Sequence, residues 1–288
     1  MSLTKSKTPI RKNKTRKVRT HDYVVAIPSF QRSEVIVKKT LETLKKGGVP
    51  EKCIHIFVAN ETERAAYAAK NCSNKTSIKI VVGVKGITEQ RKFIVKYFAE
   101  GTRVFSIDDD VEKFLRLSRD GEKLVDFKKG DLDRFIKKAF AKAEAHNLFI
   151  WGVYPMRYAY FMKHNVTTDL RLILGTAYGF ICRHDKDLVP TVGEKEDYEN
   201  TIRHYLKDGG VLRFNDICLK TIYHSPGGLG KLTEERLRAN AVAAAQLQKT
   251  YPELMTVFKR PNGMTEVKLR GKRGVDSPEG RAPRPPEG

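Results

Sequence analysis

Long apolar runs are missing from this sequence. No stretch approaches the roughly 18 consecutive apolar residues that a membrane-spanning helix requires, while a hydrophobic content of 40% is ordinary for a soluble globular protein. The N-terminal segment is basic and has no apolar core of the kind found in secretory signals. We therefore expect an intracellular, soluble protein with no membrane partner.

Cysteine is scarce and scattered. The four residues, Cys53, Cys72, Cys182 and Cys218, lie far apart, and none belongs to a C-x-x-C pair. Such spacing argues against the usual zinc-binding motifs and against a disulfide framework. The thiols are expected to be reduced, as in an intracellular protein.

Acidic residues are outnumbered by basic ones. The chain has 34 Asp and Glu against 55 Lys and Arg, a formal net charge of +21. No acid precedes Asp22 and eight of the first nineteen residues are basic, so segment 1–20 is predicted to be a disordered arm. Thirteen of the excess positive charges lie beyond residue 20, which makes the folded body basic too. Nucleic acid is therefore favoured over a membrane surface, since no strongly basic amphipathic helix with bulky apolar anchors is present.

Strand and helix patterns alternate in the first half of the chain. This alternation predicts a mostly parallel sheet with helices on both faces. Strands are predicted at 23–27, 54–59, 78–82 and 104–107, and helices between Ser33 and Gly47 and at 62–70 and 88–98.

The second half is predicted to be richer in helix. Helices are expected from Asp131, over 198–206 and over 233–250, and strands at 148–153, around 172–174 and near 216–223. The chain beyond residue 260 is predicted to be a disordered tail, 261–288, which is rich in Pro and Gly from about residue 271. No internal repeat is present.

Three consecutive carboxylates, Asp108, Asp109 and Asp110, follow the predicted strand at 104–107. Side chains alternate along a strand, so Asp108 and Asp110 would share a face while Asp109 points away. Two converging carboxylates repel each other unless a cation lies between them. A Mg²⁺ or Mn²⁺ ion partly ligated by a substrate phosphate would suit this pair. The alternative is a solvated acidic turn that caps the next helix.

Polar residues follow two other predicted strands. Pro28 and Ser29 come after the first strand, and Asn60 and Glu61 after the second. In open α/β sheets, ligands bind beyond the carboxyl ends of the strands. The aspartate triplet falls at the same kind of position, so these three strand ends together indicate a binding site.

Three motifs, IPSFQR, SIDDD and EKEDYENTIRHYL, resemble those of GT-A-fold glycosyltransferases, in particular the TET-associated glycosyltransferase family of phages and eukaryotic viruses. The resemblance runs from Asp22 to Phe258. It implies an α/β domain over 21–260, with a donor-binding half (21–118) and an acceptor half (119–260). It also implies Mn²⁺- or Mg²⁺-dependent inverting transfer from a UDP-sugar, such as UDP-glucose, to 5-hydroxymethylpyrimidine in DNA, 5-hydroxymethylcytosine above all. A viral enzyme of this kind would work in the host cytoplasm.

The resemblance also implies which residues hold the sugar donor. Metal ligation falls to Asp110 and His224, and the glycine-rich segment 227–231 would close on the diphosphate. The N-terminus of the helix after Gly86 can face a diphosphate. The expected donor-binding residues are Pro28, Ser29, Arg32, Asn60, Glu61, Gly86, Gln90, Arg91, Asp108, Asp109, Gly228 and Lys231. For Arg32 a surface pairing with Glu34, and for Asn60 a helix cap, are the alternatives.

On the acceptor side, Asp197 is the expected general base and Glu196 the alternative base. A hydroxyl is a poor nucleophile, so a carboxylate has to take its proton as it attacks the anomeric carbon. The two acids could instead only stabilise the N-terminus of the helix that they begin. Trp151 and Tyr178 are the expected acceptor-binding residues, and for Trp151 the alternative is a place in the core.

Two other functions fit parts of the sequence. One is a GT-A transferase that acts on a glycan, lipid or protein, although the positive charge speaks against a neutral acceptor. The other is a non-catalytic nucleic-acid-binding module, which would be expected to lose carboxylates such as Asp108, Asp110 and Asp197; the chain has kept them.

Overall fold

Residues 22–70, 77–221, 233–261 and 263–271 are described by a computed structural model. An eight-stranded sheet forms the centre of this part of the chain. Its strands lie in the order β3 (Lys79–Val82), β2 (Ile54–Val58), β1 (Val24–Pro28), β4 (Arg103–Ile107), β9 (Ala177–Ile181), β7 (Ile150–Val153), β10 (Leu212–Phe214) and β8 (Val166–Thr167).

The first four strands are parallel, as the alternating pattern predicts. Strand β9 is antiparallel to both β4 and β7, so β7 runs in the same direction as β4, and β10 is parallel to β7. The carboxyl ends of β1, β2, β3, β4 and β7 therefore lie at one side of the sheet, here called the carboxyl edge. Strand β8 closes the sheet in the antiparallel direction.

Helices cover both faces of the sheet, which confirms the predicted α/β class. The first helical segment contains a π-helical turn (Val37–Leu41) between two short α-helices. The α-helices are α1 (Ser33–Ile36), α2 (Glu42–Lys46), α3 (Glu61–Ala69), α4 (Ile87–Tyr97), α5 (Asp131–Ala145), α6 (Glu196–Asp208) and α7 (Glu234–Thr250). None of the helices in the described residues is long and apolar enough to cross a membrane.

Helix α5 shows how the sequence builds this core. Its apolar side chains recur every three or four residues, so they form one stripe along the helix. Each such side chain contributes roughly 1.5–3 kcal/mol when fully buried, and together they hold α5 against β7 and β9. The buried residues are Leu132, Phe135, Ile136, Ala139, Phe140 and Ala143.

A small three-stranded sheet packs beside the central one. It comprises β11 (Ile217–Lys220), β5 (Lys113–Leu117) and β6 (Leu124–Asp126), all antiparallel. Its strand β5 begins three residues after the aspartate triplet, so the chain leaves the triplet into a strand and not into a helix. The alternative of an acidic helix cap is therefore wrong.

The predicted tail and one predicted strand differ from the structure. The tail expected over 261–288 contains strand β13 (Thr265–Leu269), which pairs with β12 (Met255–Lys259) and packs on α7. Its alternate side chains, Thr265 and Val267, are buried, and this stabilises the strand although it is short. Residues 172–174 are not a strand; the backbone NH of Ile173 donates to Thr201 Oγ1 at 3.1 Å in place of a neighbouring strand.

Candidate active site

The aspartate triplet follows directly on β4. This strand ends at Ile107, and Asp108, Asp109 and Asp110 lie in the turn that comes next. Arg32 Nη1 donates to Asp109 Oδ1 at 3.0 Å and to Asp110 Oδ2 at 3.1 Å, so these two carboxylates face one guanidinium. The prediction that Asp109 points away is therefore wrong. The two-residue alternation holds only inside a strand, and here the strand has already ended.

Buried hydroxyl groups hold Asp109 in place. Ser29 Oγ donates to Asp109 Oδ2 at 2.5 Å and lies 2.6 Å from the Tyr67 hydroxyl. That hydroxyl also accepts a hydrogen bond from the backbone NH of Arg32 at 3.1 Å. Ser29 and Arg32, which follow Pro28 at the end of β1, thus support the triplet through Asp109 and Asp110.

Arg91 connects the triplet with the second half of the molecule. Its Nη2 donates to Asp108 Oδ1 at 3.2 Å and to the carbonyl oxygen of Gly175 at 2.9 Å. Its Nη1 forms an ion pair with Glu196, the first residue of α6. One mostly buried guanidinium therefore joins two acids that are 88 positions apart in the sequence.

Asp197 lies beside this ion pair. Its Oδ1 accepts a hydrogen bond from the backbone NH of Tyr198 at 2.9 Å, and its Oδ2 accepts from that of Gly175 at 3.4 Å. Burial raises the pKa of Asp197, and the positive charge of Arg91 opposes that rise. A carboxylate with a raised pKa is a stronger base when ionised, which suits the removal of a proton from a hydroxyl.

Lys195 precedes the two acids and lies in the left-handed backbone region, with φ of 59°. Its buried side chain places Nζ 3.8 Å from Oε2 of Glu266 in β13. Burial lowers the pKa of Lys195, and the charge of Glu266 opposes this. The C-terminal hairpin β12–β13 thus supplies a counter-charge next to the start of α6.

The charge of the triplet is only partly compensated. Burial raises the pKa of Asp108 to about 7; Arg91 opposes this, and the charges of Asp110 and Asp109 add to it. Repulsion of this kind is relieved by a divalent cation. Carboxylate oxygens are the ligands that Mg²⁺ and Mn²⁺ prefer. The carboxylates of the triplet therefore suit part of the ligand set of such an ion.

Three residues of the predicted site, His224, Gly228 and Lys231, lie outside the described residues. Within the residues that are described, no group of three or more His, Cys, Asp or Glu comes together to hold a metal. A metal bound by Asp108 and Asp110 would need further ligands from outside this set, such as His224 or the phosphates of a substrate.

A cavity of about 370 Å³ opens between α4 and α6. Tyr178 and Phe180 of β9 contribute to its floor, and Arg91, Glu196 and Asp197 to its wall. The lining combines apolar side chains with charged ones, among them lysines of α4 and both Asp185 and Lys186 in the segment that precedes α6. The cavity thus brings a ligand-sized space to the candidate base.

Comparison with known proteins gives similarity at the level of structure. No protein-family profile and no curated protein sequence matches the chain. The solved structure of S. aureus TarS 1-349 in complex with UDP-GlcNAc superposes with a TM-score of 0.51 at 16% identity, over 78% of this chain and 66% of that one. Mannosyltransferase PcManGT from Pyrobaculum calidifontis in complex with GDP-Man and Mn²⁺ gives 0.51 at 12% identity, over 84% and 66%. The chain has the GT-A glycosyltransferase fold.

This chain spans slightly less than two thirds of the length of either neighbour.

Within its GT-A fold, Gly86 directly precedes α4 as predicted, with φ of 96°, a value that favours glycine. Asn60 Oδ1 caps α3 by accepting from the NH of Glu63 at 2.9 Å, so the alternative interpretation of Asn60 as a helix cap is confirmed. Glu61 is exposed and pairs with Arg64.

Two predicted contacts with substrates are wrong. Gln90 is only 4% exposed, and its amide binds the carbonyl of Val58 and the NH of Val84, so it ties the ends of β2 and β3 together. Trp151 is 1% exposed and stacks on Phe105 at 5.6 Å, so it belongs to the core. Neither side chain is available to a ligand. Tyr178, which is expected to bind the acceptor, lines the cavity.

Three residues of this region were not singled out from the sequence. The Tyr67 hydroxyl contacts Ser29, which donates to Asp109, and the Thr221 hydroxyl donates to Asp110. Glu199 accepts from the backbone NH groups at 191 and 192. Glu199 thereby fixes the segment that leads into α6. Its position on the apolar side of α6, next to Ile202, was the available signal.

Proposed function

We propose that the protein is a metal-dependent inverting glycosyltransferase that moves a sugar from a UDP-sugar to the hydroxyl of 5-hydroxymethylcytosine in DNA. The observation that carries the proposal is the link made by Arg91. It pairs with Asp108 on the donor side and with Glu196 beside Asp197, so the two halves of a transfer site meet at one residue. The resemblance to TET-associated glycosyltransferases gives the acceptor class.

The sugar donor binds at the carboxyl edge in this proposal. The aspartate triplet and the N-terminus of α4 both lie there, and a helix N-terminus attracts a diphosphate. The similar structures of TarS and PcManGT contain UDP-GlcNAc and GDP-Man respectively. Arg91, close to the start of α4, is placed to meet a phosphate once its pairing with Asp108 is exchanged.

Asp110, with Asp108, would hold the divalent ion. PcManGT was solved with Mn²⁺, which supports a metal of this kind here. When bound, the ion neutralises negative charge on the departing nucleoside diphosphate. Arg32 and Thr221 orient Asp110 for this role by hydrogen bonds to its two carboxylate oxygens.

Asp197 is the base in the transfer step. It accepts the proton of the acceptor hydroxyl while the hydroxyl oxygen forms a bond to the anomeric carbon and the bond from that carbon to the diphosphate breaks. Attack from the side opposite to the leaving group inverts the anomeric centre. Glu196 is committed to the ion pair with Arg91, which favours Asp197 over Glu196 as the base.

The acceptor enters the cavity between α4 and α6 in this proposal. Its volume of about 370 Å³ falls in the range of small-molecule sites, and Asp197 lies in its wall. A base inside a duplex cannot reach such a site, so the nucleotide would have to leave the stack. The net charge of +21 provides attraction for the phosphate backbone.

The test is transfer itself. Duplex and single-stranded DNA containing 5-hydroxymethylcytosine, matched unmodified DNA, and a panel of glycan, lipid and protein acceptors are each incubated with the protein, Mn²⁺ and several nucleotide sugars. Mass spectrometry of the digested nucleosides should show a hexose added only to the hydroxymethylated base. Transfer to a non-nucleic acceptor alone would replace DNA as the substrate.

The basic arm should strengthen DNA binding without taking part in the chemistry. Deleting residues 1–20 removes eight positive charges, and the slope of log affinity against log salt falls by about 0.9 for every duplex phosphate that the protein no longer neutralises. We expect a flatter salt dependence and unchanged turnover at saturating DNA. The control replaces the eight basic residues by glutamine at full length. An unchanged slope in both variants means that the folded body alone contacts the backbone.

A further inference from the structure

Large side chains are exposed on the loop between β7 and β8. Tyr160 is 90% exposed, Tyr158 56% and Met156 39%. We call these three side chains the tyrosine surface. Aromatic rings that are this open to solvent lack the stabilisation that burial would give them, and a ligand that covers them would supply it.

The loop that presents the tyrosine surface is anchored. Ala159–Phe161 form a 3₁₀ turn, and the Met162 side chain that follows is buried. Met162 packs against β5 and β11 near Leu115 and Cys218. The NH of Lys163 donates to the carbonyl of Asn215, which fixes the far end of the loop. The two tyrosines therefore stand on a supported turn.

The surroundings of the tyrosine surface are basic. Arg157 lies next to Tyr158, and Lys163 follows on the same loop; both are exposed. The sequence contains no acid between Glu144 and Asp169. The surface therefore combines exposed rings with positive charge on one short segment.

The loop leaves the sheet at the carboxyl edge. Strand β7 runs in the same direction as β4 and is separated from it only by β9. In the register, Gly152 and Ser106 both pair with Tyr178, so the loop begins level with the aspartate triplet. Adjacent strands are about 4.8 Å apart, so the start of the loop lies roughly 10 Å from the end of β4.

We propose that Tyr158 and Tyr160 stack on unpaired bases of the DNA strand that carries the acceptor, with Arg157 and Lys163 meeting its phosphates. The identity of this ligand rests on the proposed function. Alternation of aromatic rings with cations is the pattern by which proteins hold single-stranded nucleic acid, because every base offers a flat face. A membrane-binding loop would more often present Trp, Phe or Leu; here the one tryptophan is buried and Met156 is the one aliphatic side chain of the surface.

The experiment uses the full chain and single-stranded oligonucleotides that contain 2-aminopurine, whose fluorescence falls when it stacks on a ring. Tyr160→Ala and Tyr158→Ala should each weaken binding by about fivefold or more, since stacking contributes on the order of 1–3 kcal/mol per base. They should also diminish the quenching of 2-aminopurine. Tyr160→Phe keeps the ring and should bind like the wild type. Tyr97→Ala, at the opposite edge of the sheet, is the second control.

Three results would overturn the proposal. In the first, Tyr160→Ala binds the oligonucleotide as tightly as the wild type does. In the second it loses binding to vesicles of anionic lipid and keeps binding to the oligonucleotide, and in the third it converts a dimer to a monomer. The proposed transfer reaction is read separately, from wild-type protein and hydroxymethylated DNA. If that DNA is not modified but Tyr160→Ala still loses oligonucleotide affinity and quenching, the stacking surface stands and the transfer reaction does not.

Discussion

Asp110→Asn is expected to abolish sugar transfer while the protein stays folded. The substitution is nearly isosteric, and the amide oxygen can still accept from Thr221, which now donates at 2.6 Å. The substitution removes one negative charge from the carboxylates that would bind a divalent ion. Metal ions supply several kcal/mol of transition-state stabilisation, so turnover should fall on the order of 10³-fold or more. Turnover, Mn²⁺-dependent binding of the nucleotide sugar and thermal unfolding are measured side by side.

The control for this prediction cannot be Asp109. If Asp109 pointed away from the site, as strand alternation predicts, its substitution would have little effect. It is instead buried and bound by Ser29 and Arg32, so Asp109→Asn should destabilise the turn. Asp126→Asn, an exposed acid on β6 that pairs with Lys113, removes the same charge away from the site. Full turnover by both Asp110→Asn and the EDTA-treated wild type would show that the ion binds elsewhere or is not used.

Asp197→Asn is expected to lose about 10²–10⁴-fold in turnover, the usual contribution of a well-placed general base. The asparagine can still accept from the NH of Tyr198, so α6 should begin as before. The affinity for the sugar donor, which depends on the aspartate triplet, should change little. The measurements are single-turnover rates, binding of the nucleotide sugar, and the anomeric proton coupling of the product by NMR, which should show inversion.

Glu196→Gln separates the two neighbouring acids. It frees Arg91 from its ion pair and should change the affinity for the nucleotide sugar more than the rate of the chemical step. A normal rate for Asp197→Asn together with a large loss for Glu196→Gln would transfer the role of base to Glu196. Retention of the anomeric configuration would contradict a single displacement altogether.

Most of the fold could be predicted from the local sequence, because each long helix or fully buried strand has a recognisable pattern of apolar residues. The stripe on α5 and the buried strand Ile54–Val58 are visible without any partner. The short strands β5, β6 and β13 were not recognised. None of these three strands is buried along its whole length as Ile54–Val58 is, so each is defined mainly by its partner in the sheet. One partner of β5, strand β11, lies about 100 residues later in the chain.

The site was predictable where it depends on strand ends and not where it depends on packing. Ser29 and the aspartates meet because β1 and β4 are parallel neighbours, which the α/β pattern already implies. The burial of Trp151 and the inward amide of Gln90 depend on what covers them, so residue type alone could not decide. Arg91 and Glu196 form an ion pair although they lie 105 positions apart, so no local sequence pattern could have indicated it.

The contact between Lys195 and Glu266 connects strand β13 with the start of α6, where the candidate base lies. A version of the protein cut at residue 260, where composition suggests a harmless boundary, would remove strand β13 and leave the buried ammonium of Lys195 without this carboxylate, two positions from the candidate base. Loss of activity in such a shortened protein would then be easy to mistake for loss of a substrate-binding tail. For this candidate transferase, the position at which the polypeptide is cut therefore decides whether Lys195 keeps the counter-charge of Glu266.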